Sequence, residues 1–400
     1  MGRTTRRERG TGELTRLANG RWRAVLVYHD DPTPGRKRRV SATADTRTRA
    51  LETARRRLDR LRNQDQNPQP DHMPTISQWC DQWVDTAIKP RRTPNTWLTY
   101  RQRIRCAIKP ILGDLPLDRV RPSHARLLEN SILNGSPRHH INPGSPATAR
   151  LTLTILRNAL ADAMRDGIID RNPFDRLDPT PLDTRQTIPL TPEQATTLIS
   201  MEPDPTWRLL WRLMFATGMR VGEIIALTPN AIRRDRDTPI LIVDWQLKRL
   251  AVDETDIPHW YERRRLTRSM WMVRPKTRSG RRVIPLPDGL AHDLTALAEG
   301  REPDDLLFTS RRGNPLCRET VREHWKQALE RAGLPAVNVH SARHTTATML
   351  ARAGVPDLIR KAIIGHSRID TTDSVYTHLD PVMLARAISP VTGTFDDTGR

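Results

Sequence analysis

The stretch FATGMRVGEIIAL, residues 215–227, decides the fold of the C-terminal half of this chain. Its Thr-Gly pair predicts a tight turn, and the apolar residues that follow Arg220 predict a helix. Arg220 is therefore expected in the first turn, beside a helix N-terminus where an anion is favoured. Glu223 lies one turn further on, where it could hold neighbouring side chains in place.

Four other segments downstream carry residues of related chemistry. In HSARHTTATML, His340 and Arg343 are three apart and are expected on one helix face. Lys276 lies in PKTRSGRRVIPLP, at a tight turn that is expected to join two strands. His366 lies at a turn in IGHS, and Tyr376 follows in a polar stretch instead of an apolar periodic pattern. Such a tyrosine is either a surface residue or a hydroxyl that does chemistry.

A tyrosine nucleophile has definite chemical needs. Its free pKa is about 10, so only about one hydroxyl in a thousand is ionised at neutral pH, and it needs help to lose the proton. On a phosphodiester, the two non-bridging oxygens need positive charge, which the planar guanidinium supplies best. The leaving oxygen needs a proton donor. The minimum set is thus one tyrosine, two arginines and one or two lysines or histidines, with no metal or other cofactor required.

Taken one at a time, these residues carry little information. Arginine is abundant in the chain, so an isolated Arg220 or Arg343 is most simply a surface or ion-pair residue. Lys276 is most simply a solvated turn residue, His366 a turn histidine and Tyr376 a surface tyrosine. It is the ordered set, in one half of the chain, that favours a catalytic site.

The ordered set resembles the phage integrase family of tyrosine site-specific recombinases. The resemblance rests on ATGMRVGEIIAL, PKTRSGRRVIPLP, HSARHTTATML, IGHS and YTH, which occur in the family's order. It continues upstream, where IKPILGDLPL and GIIDRNPF in residues 75–174 are similar to the family's helical core-site-binding domain. The basic segment 1–62 is similar to the arm-binding domain of integrases from mobile elements.

The resemblance implies a role for each residue of the set. Tyr376 would attack the scissile phosphate and form a 3′-phosphotyrosyl link, leaving a free 5′-hydroxyl. Arg220 and Arg343 would hold the non-bridging oxygens. Lys276 would be the general acid toward the 5′-oxygen, and His340 the acid–base partner near the tyrosine.

Two further residues have supporting roles by the same resemblance. His366 would donate a hydrogen bond to the phosphate, and Glu223 would organise the site without taking part in the chemistry. Arg220 and Lys276 are 56 residues apart, which is longer than the compact family pattern. Residues 244–267 account for the extra length and are predicted to form an extended hairpin. Tyr261, within that segment, is the alternative nucleophile.

Composition supports a nucleic-acid partner. The chain has a net charge of +20, and residues 1–62 hold 18 basic and 7 acidic residues, an excess of 11. This clustering is typical of proteins that bind polyanions. The three cysteines are too far apart for a CxxC metal pair, and no run of 18 apolar residues predicts a membrane span. A soluble protein of the cytoplasm, associated with the nucleoid, is expected.

Linker composition predicts the domain organisation. NQDQNPQPDHMP and DPTPLDTRQTIPLTPEQ are rich in Pro and polar residues. The expected fold is therefore multidomain and mainly α, with small β elements. Its parts are a basic sheet-and-helix module at 1–66, a helical core-binding bundle at 75–178, a mixed, mostly α catalytic domain at 190–390 and a disordered tail at 391–400.

The resemblance also implies partners and leaves alternatives to be weighed. The expected partners are double-stranded DNA at core and arm sites, further copies of the chain in a tetramer, an excisionase and a DNA-bending host factor. One alternative is a type IB topoisomerase-like enzyme, which would need no arm-binding module. Another is a non-catalytic DNA-binding regulator derived from a recombinase, which would not need the intact six-residue set. A metal nuclease is disfavoured because no Asp/Glu/His cluster has ligand spacing.

Overall fold

The computed structural model describes residues 13–17, 20–29, 37–66, 73–178, 180–181, 189–275, 280–365 and 381–396. The chain divides into two compact units. One comprises residues 1–90 and 96–183, and the other comprises residues 91–95 and 184–400.

The first unit begins with a three-stranded antiparallel sheet. Its strands are β1 (Glu13–Arg16), β2 (Trp22–His29) and β3 (Lys37–Ala44), in the order β1-β2-β3, and helix α1 (Arg47–Gln66) packs on one face. Because strand residues alternate between faces, one face of the sheet presents apolar side chains to the helix. Ala24, Leu26 and Ala42 of the strands are buried in one cluster with Ala50 and Ala54 of α1. The sheet and the helix predicted for this module are present.

Helices form the rest of the first unit. They are α2 (Ile76–Trp83), α3 (Pro94–Arg103), α4 (Lys109–Leu112), α5 (Pro122–Leu133) and α6 (Pro146–Arg165), and π-helical turns at 84–88 and 104–108 extend α2 and α3. Thr75 begins α2 with a capping box to Gln78. Two buried tryptophans then bind α2 to α6, because Trp79 Nε1 donates to the Ala159 carbonyl at 2.8 Å and Trp83 Nε1 to the Asp162 carboxylate at 2.6 Å. The predicted helical bundle is present.

The second unit is mainly helical around one large apolar core. Its helices are α7 (Pro192–Ser200), α8 (Pro205–Thr217), α9 (Val221–Ile224), α10 (Asp288–Ala298), α11 (Arg318–Arg331), α12 (Ser341–Arg352), α13 (Asp357–Ile364) and α14 (Pro381–Asp396). Its strands are β4 (Ile232–Asp235), β5 (Thr238–Val243), β6 (Gln246–Arg249), β7 (Arg263–Arg265), β8 (Met270–Val273) and β9 (Arg282–Pro285). Helix α8 lies deepest, with every residue from Leu209 to Thr217 buried.

The strands of the second unit form two small antiparallel sheets, and this corrects the predicted hairpins. One sheet has the order β4-β5-β9 and the other β6-β8-β7. Residues 244–267 therefore do not form a hairpin of their own, because β6 and β7 both pair with β8. Nor do the strands on either side of Lys276 pair with each other, since β8 and β9 lie in different sheets. Local alternation could not distinguish these pairings, which depend on long-range register.

The small sheet β6-β8-β7 has a reason to form a separate layer. Leu250, Ile257, Tyr261, Trp271 and Val273 make a buried cluster of their own beside it. The residues between β6 and β7 therefore bury their apolar side chains against β8, and this burial stabilises the three-stranded arrangement.

The predicted disordered tail is wrong as far as residue 396. Helix α14 runs to Asp396, and Phe395 is buried with its ring 5.7 Å from that of Phe215. The Phe395 carbonyl accepts a hydrogen bond from Arg212 Nε at 3.0 Å. Pro and Gly in this segment suggest disorder locally, but packing onto α8 outweighs their low helix propensity. Residues 397–400 lie outside the described residues. Among the helices that the structure describes, none is long and apolar enough to cross a membrane.

Candidate active site

Arg220 is placed by the turn that ends helix α8. Gly218 adopts a left-handed conformation at φ 63° and ends the helix, and Arg220 is the N-cap residue of the short helix α9. Its Nη1 donates to Glu223 Oε1 at 2.8 Å, and its Nη2 donates to the Gly365 carbonyl at 2.9 Å. Since α9 has only four residues, an anion here would depend on the arginine side chain more than on the helix.

Glu223 is the acidic centre of the site. Its side chain is only 4% exposed, and its Oε2 accepts hydrogen bonds from the Arg220 backbone N–H and from Arg282 Nη2, both at 2.9 Å. Burial alone would raise the pKa of Glu223, but the charge and hydrogen bond of Arg282, together with Arg220, outweigh it and hold the pKa below its usual value. Glu223 is therefore a carboxylate that binds two arginines, and its organising role stays a prediction.

Arg343 lies on helix α12 and is buried, with 3% of the residue exposed. Its Nη1 donates to the carbonyls of Gly218, at 2.8 Å, and Ile364, and its Nη2 donates to the Gly365 carbonyl at 3.3 Å. Burial, reinforced by the charges of Arg220 and Arg282, lowers the pKa of Arg343 to about 9. Arg343 therefore remains charged at neutral pH while its contacts are neutral carbonyl oxygens.

Arg282, at the start of β9, belongs to the same cluster although the sequence did not single it out. Its side chain is 6% exposed, and it joins Glu223 Oε2 at 2.9 Å to the Ile363 carbonyl, which accepts from Nε at 2.8 Å. Arg220, Arg282 and Arg343 are called the arginine cluster below. The only available sequence signal was its place in the RSGRRVIPLP segment, which holds two other arginines.

The arginine cluster surrounds the C-terminal end of helix α13. This helix ends at Gly365, which is left-handed at φ 72°. Three successive carbonyls, of Ile363, Ile364 and Gly365, each accept a hydrogen bond from at least one arginine of the cluster. The end of a helix carries partial negative charge, so these contacts satisfy its free carbonyls.

The electrostatic balance of the cluster favours an anion. Within the described parts of the chain, the three guanidinium groups of the cluster have one carboxylate beside them, that of Glu223, and carbonyl dipoles compensate the other two positive charges. Guanidinium groups bind phosphate oxygens in a fixed planar geometry. The site can therefore hold a phosphate group and stabilise the negative charge that develops on it during displacement.

The structure brings together three of the predicted site residues, Arg220, Glu223 and Arg343. His340 is the N-cap residue of α12, one turn before Arg343, and is exposed, with its ring 5.1 Å from that of His344 in an edge-on arrangement. The other three predicted residues, Lys276, His366 and Tyr376, lie outside the described residues.

Tyr261, the alternative nucleophile, is a core residue. It is 5% exposed within the small cluster beside β8, and burial raises the pKa of its hydroxyl to about 12. Such a hydroxyl is both harder to ionise and harder to reach than an ordinary tyrosine. Tyr100 is also part of a packed layer, since its ring stacks on Trp83 with centroids 5.9 Å apart.

No group of three or more metal-binding side chains occurs in the parts of the chain that the structure describes. Cys80, Cys106 and Cys317 are all free. Burial raises the pKa of Cys80 to about 12, which makes this thiol a packing group.

Two family models match separate parts of the chain. The one described as "Phage integrase family" matches residues 259–382, and the one described as "Phage integrase, N-terminal SAM-like domain" matches residues 75–133. The first match contains His340 and Arg343 but begins after Arg220 and Glu223.

Curated relatives agree with these matches. An integrase from Saccharopolyspora erythraea is 26% identical over 352 residues, which cover 76% of this chain and 79% of that protein. The integrase of Mycobacterium phage D29 is 23% identical, with 90% and 91% covered. A tyrosine recombinase XerC-like protein from Caldanaerobacter subterraneus subsp. tengcongensis is 27% identical over 202 residues, and the chain spans about half of its length (49%).

Solved structures share the fold. The Tn1549 transposon integrase in complex with a circular intermediate DNA has a TM-score of 0.61 at 24% identity, covering 78% of this chain and 98% of that one. The lambda integrase tetramer bound to a Holliday junction has a TM-score of 0.53 at 18% identity, covering 90% and 97%.

Proposed function

We propose that this chain, which belongs to the phage integrase family, is a site-specific DNA recombinase that integrates and excises a mobile element. It would cut and rejoin DNA strands through a covalent 3′-phosphotyrosyl intermediate. The observation that supports this most strongly is the convergence of Arg220 and Arg343 on one oxygen acceptor, the Gly365 carbonyl. Two guanidinium groups aimed at one point suit the oxygens of a phosphodiester.

In the proposed first step, the Tyr376 hydroxyl attacks the scissile phosphorus and loses its proton to a neighbouring base. The bond from phosphorus to the 5′-oxygen breaks, and that oxygen takes a proton from Lys276, the proposed general acid. Arg220 and Arg343 neutralise the charge on the non-bridging oxygens, which increases in the transition state.

The remaining residues of the set assist this step. His340 is the proposed acid–base partner of the tyrosine, His366 donates to the phosphate, and Glu223 holds Arg220 in orientation. The phosphotyrosyl link retains the energy of the broken bond, so religation to a new 5′-hydroxyl requires no ATP. The arginine cluster supplies the positive charge that a metal ion would supply elsewhere, so we expect metal-independent cleavage.

The proposed domain roles follow the chain order. Residues 1–66 would bind arm sites, residues 75–178 the core site, and residues 190–390 would carry the chemistry. The exposed face of the N-terminal sheet includes Arg23 and Arg39, which suits contact with phosphates. The chain would act on the nucleoid in the cytoplasm.

Partners beyond DNA belong to the proposal as well. The related lambda integrase forms a tetramer on a Holliday junction, and we propose that this chain likewise assembles as a tetramer on paired sites. An excisionase and a DNA-bending host protein would set the direction of the reaction.

A comparison of two reactions tests this function against the topoisomerase alternative. The purified chain is given two attachment sites on separate DNA molecules, and in parallel a supercoiled plasmid without such sites, both in EDTA. We expect recombinant product from the first reaction and little relaxation in the second. Efficient relaxation without recombination would favour the topoisomerase, and activity that only Mg²⁺ restores would contradict metal-independent chemistry. DNA binding with neither reaction would favour the non-catalytic regulator.

A further inference from the structure

Arg282 links three separate parts of the second unit. It begins strand β9, its Nη2 binds the carboxylate of Glu223 at 2.9 Å, and its Nε binds the Ile363 carbonyl at 2.8 Å. Glu223 belongs to α9, and Ile363 lies in the last turn of α13. One side chain thus fixes the position of α9 relative to the end of α13.

Arg282 contacts Glu223, which binds Arg220, and the end of helix α13, which binds both of the arginines proposed to hold phosphate. Its hydrogen bond to Glu223 Oε2 holds the carboxylate whose other oxygen binds Arg220. Its hydrogen bond to Ile363 fixes the chain two residues before the Gly365 carbonyl, on which Arg220 and Arg343 converge. Both guanidinium groups are therefore oriented by groups that Arg282 holds.

We infer that Arg282 is a positioning residue of the strand-transfer reaction, acting on Arg220 through Glu223 and on both phosphate-binding arginines through the end of α13. This inference rests on the proposed function. In this arrangement Arg282 holds protein groups: its Nε donates to the Ile363 carbonyl and its Nη2 to the Glu223 carboxylate. Its effect is on the geometry of the other two arginines.

The geometry of these contacts favours positioning over a purely structural role. Arg301 shows what a purely structural arginine looks like in the same unit. Its Nε and Nη1 donate to the carbonyls of Leu297, at 2.9 Å, and Leu306, at 2.7 Å, and these carbonyls are not among the contacts of the arginine cluster. Arg282 differs because one of its acceptors is the carboxylate that orients Arg220. A small displacement of that carboxylate moves a group that contacts the reacting phosphate, and displacements of about 1 Å can cost about 100-fold in rate.

The test measures binding and chemistry separately. Wild type, Arg282→Met, Arg282→Lys and the matched control Arg301→Met are mixed in excess with a nicked core-site DNA that traps the covalent adduct. The dissociation constant comes from a binding titration, and the rate constant from a single-turnover time course at saturating DNA. Thermal unfolding of each variant reports the folded fraction at the assay temperature.

We expect Arg282→Met to lower the single-turnover rate constant by about 100-fold while the dissociation constant stays near that of the wild type. Arg282→Lys should give an intermediate rate, because lysine keeps the charge but lacks the planar fork that spans two acceptors. Arg301→Met should lose thermal stability but keep the rate constant of the folded protein. Added guanidinium at a low, non-denaturing concentration should restore part of the rate to Arg282→Ala and none to Arg301→Ala.

Three outcomes would overturn the inference. These are a wild-type rate in Arg282→Met, an equal loss of rate in Arg301→Met, and a loss in Arg282→Met that lies entirely in the dissociation constant. Failure of the proposed function gives a different result, because the wild type itself would then form no covalent adduct and the positioning role would fall with it.

Discussion

Arg220 and Arg343 donate to the same oxygen, the Gly365 carbonyl, from 2.9 Å and 3.3 Å. In sequence, the two residues lie on either side of residues 232–285, which contain strands β4 to β9. Only folding therefore brings them together. As far as the structure describes the chain, the buried Arg343 donates only to carbonyl oxygens, so an anion would strongly stabilise its partly compensated charge. A phosphate oxygen is therefore expected to bind these two guanidinium groups beside the Gly365 carbonyl.

Replacing Arg343 by lysine should separate charge from geometry. A lysine keeps the positive charge but cannot donate to several acceptors in one plane, so Arg343→Lys should lower the single-turnover cleavage rate about 100-fold or more. DNA binding, measured by titration, should change little because many other basic residues contribute. The exposed Arg352 on the same helix provides the matched control, and Arg352→Lys should cleave normally. Equal rates for the wild type and Arg343→Lys would argue against a bidentate role.

Glu223→Gln should destabilise the protein in a pH-dependent way. Arg282 and Arg220 hold the pKa of Glu223 below its ordinary value of 4.5, so the stabilising effect of Glu223 is complete above that value and is lost as pH falls through the lower, folded-state pKa. At neutral pH, loss of a buried charge partner should cost about 3–5 kcal/mol in the free energy of unfolding.

Denaturant unfolding of both proteins across a pH series tests this sign. The difference between wild type and Glu223→Gln should be largest at neutral pH and should shrink toward acid. A difference that is constant, or that grows as pH falls, would show that the charge of Glu223 is not what stabilises the cluster.

Lys276 can be tested as the general acid with a modified substrate. A 5′-thiolate leaves without needing a proton, so a DNA with sulfur at the bridging 5′ position bypasses the acid. Lys276→Ala should be slow on ordinary DNA and should recover most of its rate on the sulfur substrate. Equal slowing on both substrates would assign the proton to another group, with His340 as the first candidate.

The N-terminal module should bind accessory DNA. It carries an excess of 11 positive charges in residues 1–62, so its binding should weaken steeply with salt. A chain starting at Met73 should cleave and religate core-site DNA but should fail to integrate one full attachment site into another, because tethering to arm sites is lost. Integration by the shortened chain at the full-length rate would remove the arm-binding role. Loss of all cleavage would instead assign the module to the core-site clamp.

Much of the fold could be predicted from local sequence patterns. The sheet-and-helix module predicted at 1–66 corresponds to β1–β3 and α1, and the helical bundle predicted at 75–178 corresponds to α2–α6. These elements can be predicted because the periodicity and the capping residues that specify them are local in sequence. The pairing of β8 with β6 and β7, and the packing of Phe395 on Phe215, are contacts between distant residues, and no local pattern encodes them.

Only part of the candidate site could be predicted, because only part of it is specified by local sequence patterns. Arg220, Glu223 and Arg343 stand in motifs with recognisable turns and helix starts, and the structure brings them together. Arg282 was missed because one of 59 arginines has no local signal that it is buried. The carbonyl of Gly365, on which two arginines converge, could not be predicted, since a backbone acceptor is not specified by its side chain.

The most direct test of the central claim is covalent trapping with Tyr376→Phe. Wild type, Tyr376→Phe and Tyr261→Phe are incubated with nicked core-site DNA in EDTA, and protein–DNA adducts are counted on a denaturing gel, with binding measured alongside. We predict an adduct for the wild type and for Tyr261→Phe, whose hydroxyl is buried, and none for Tyr376→Phe, which should still bind the DNA. An adduct formed by Tyr376→Phe at the wild-type level would contradict the account.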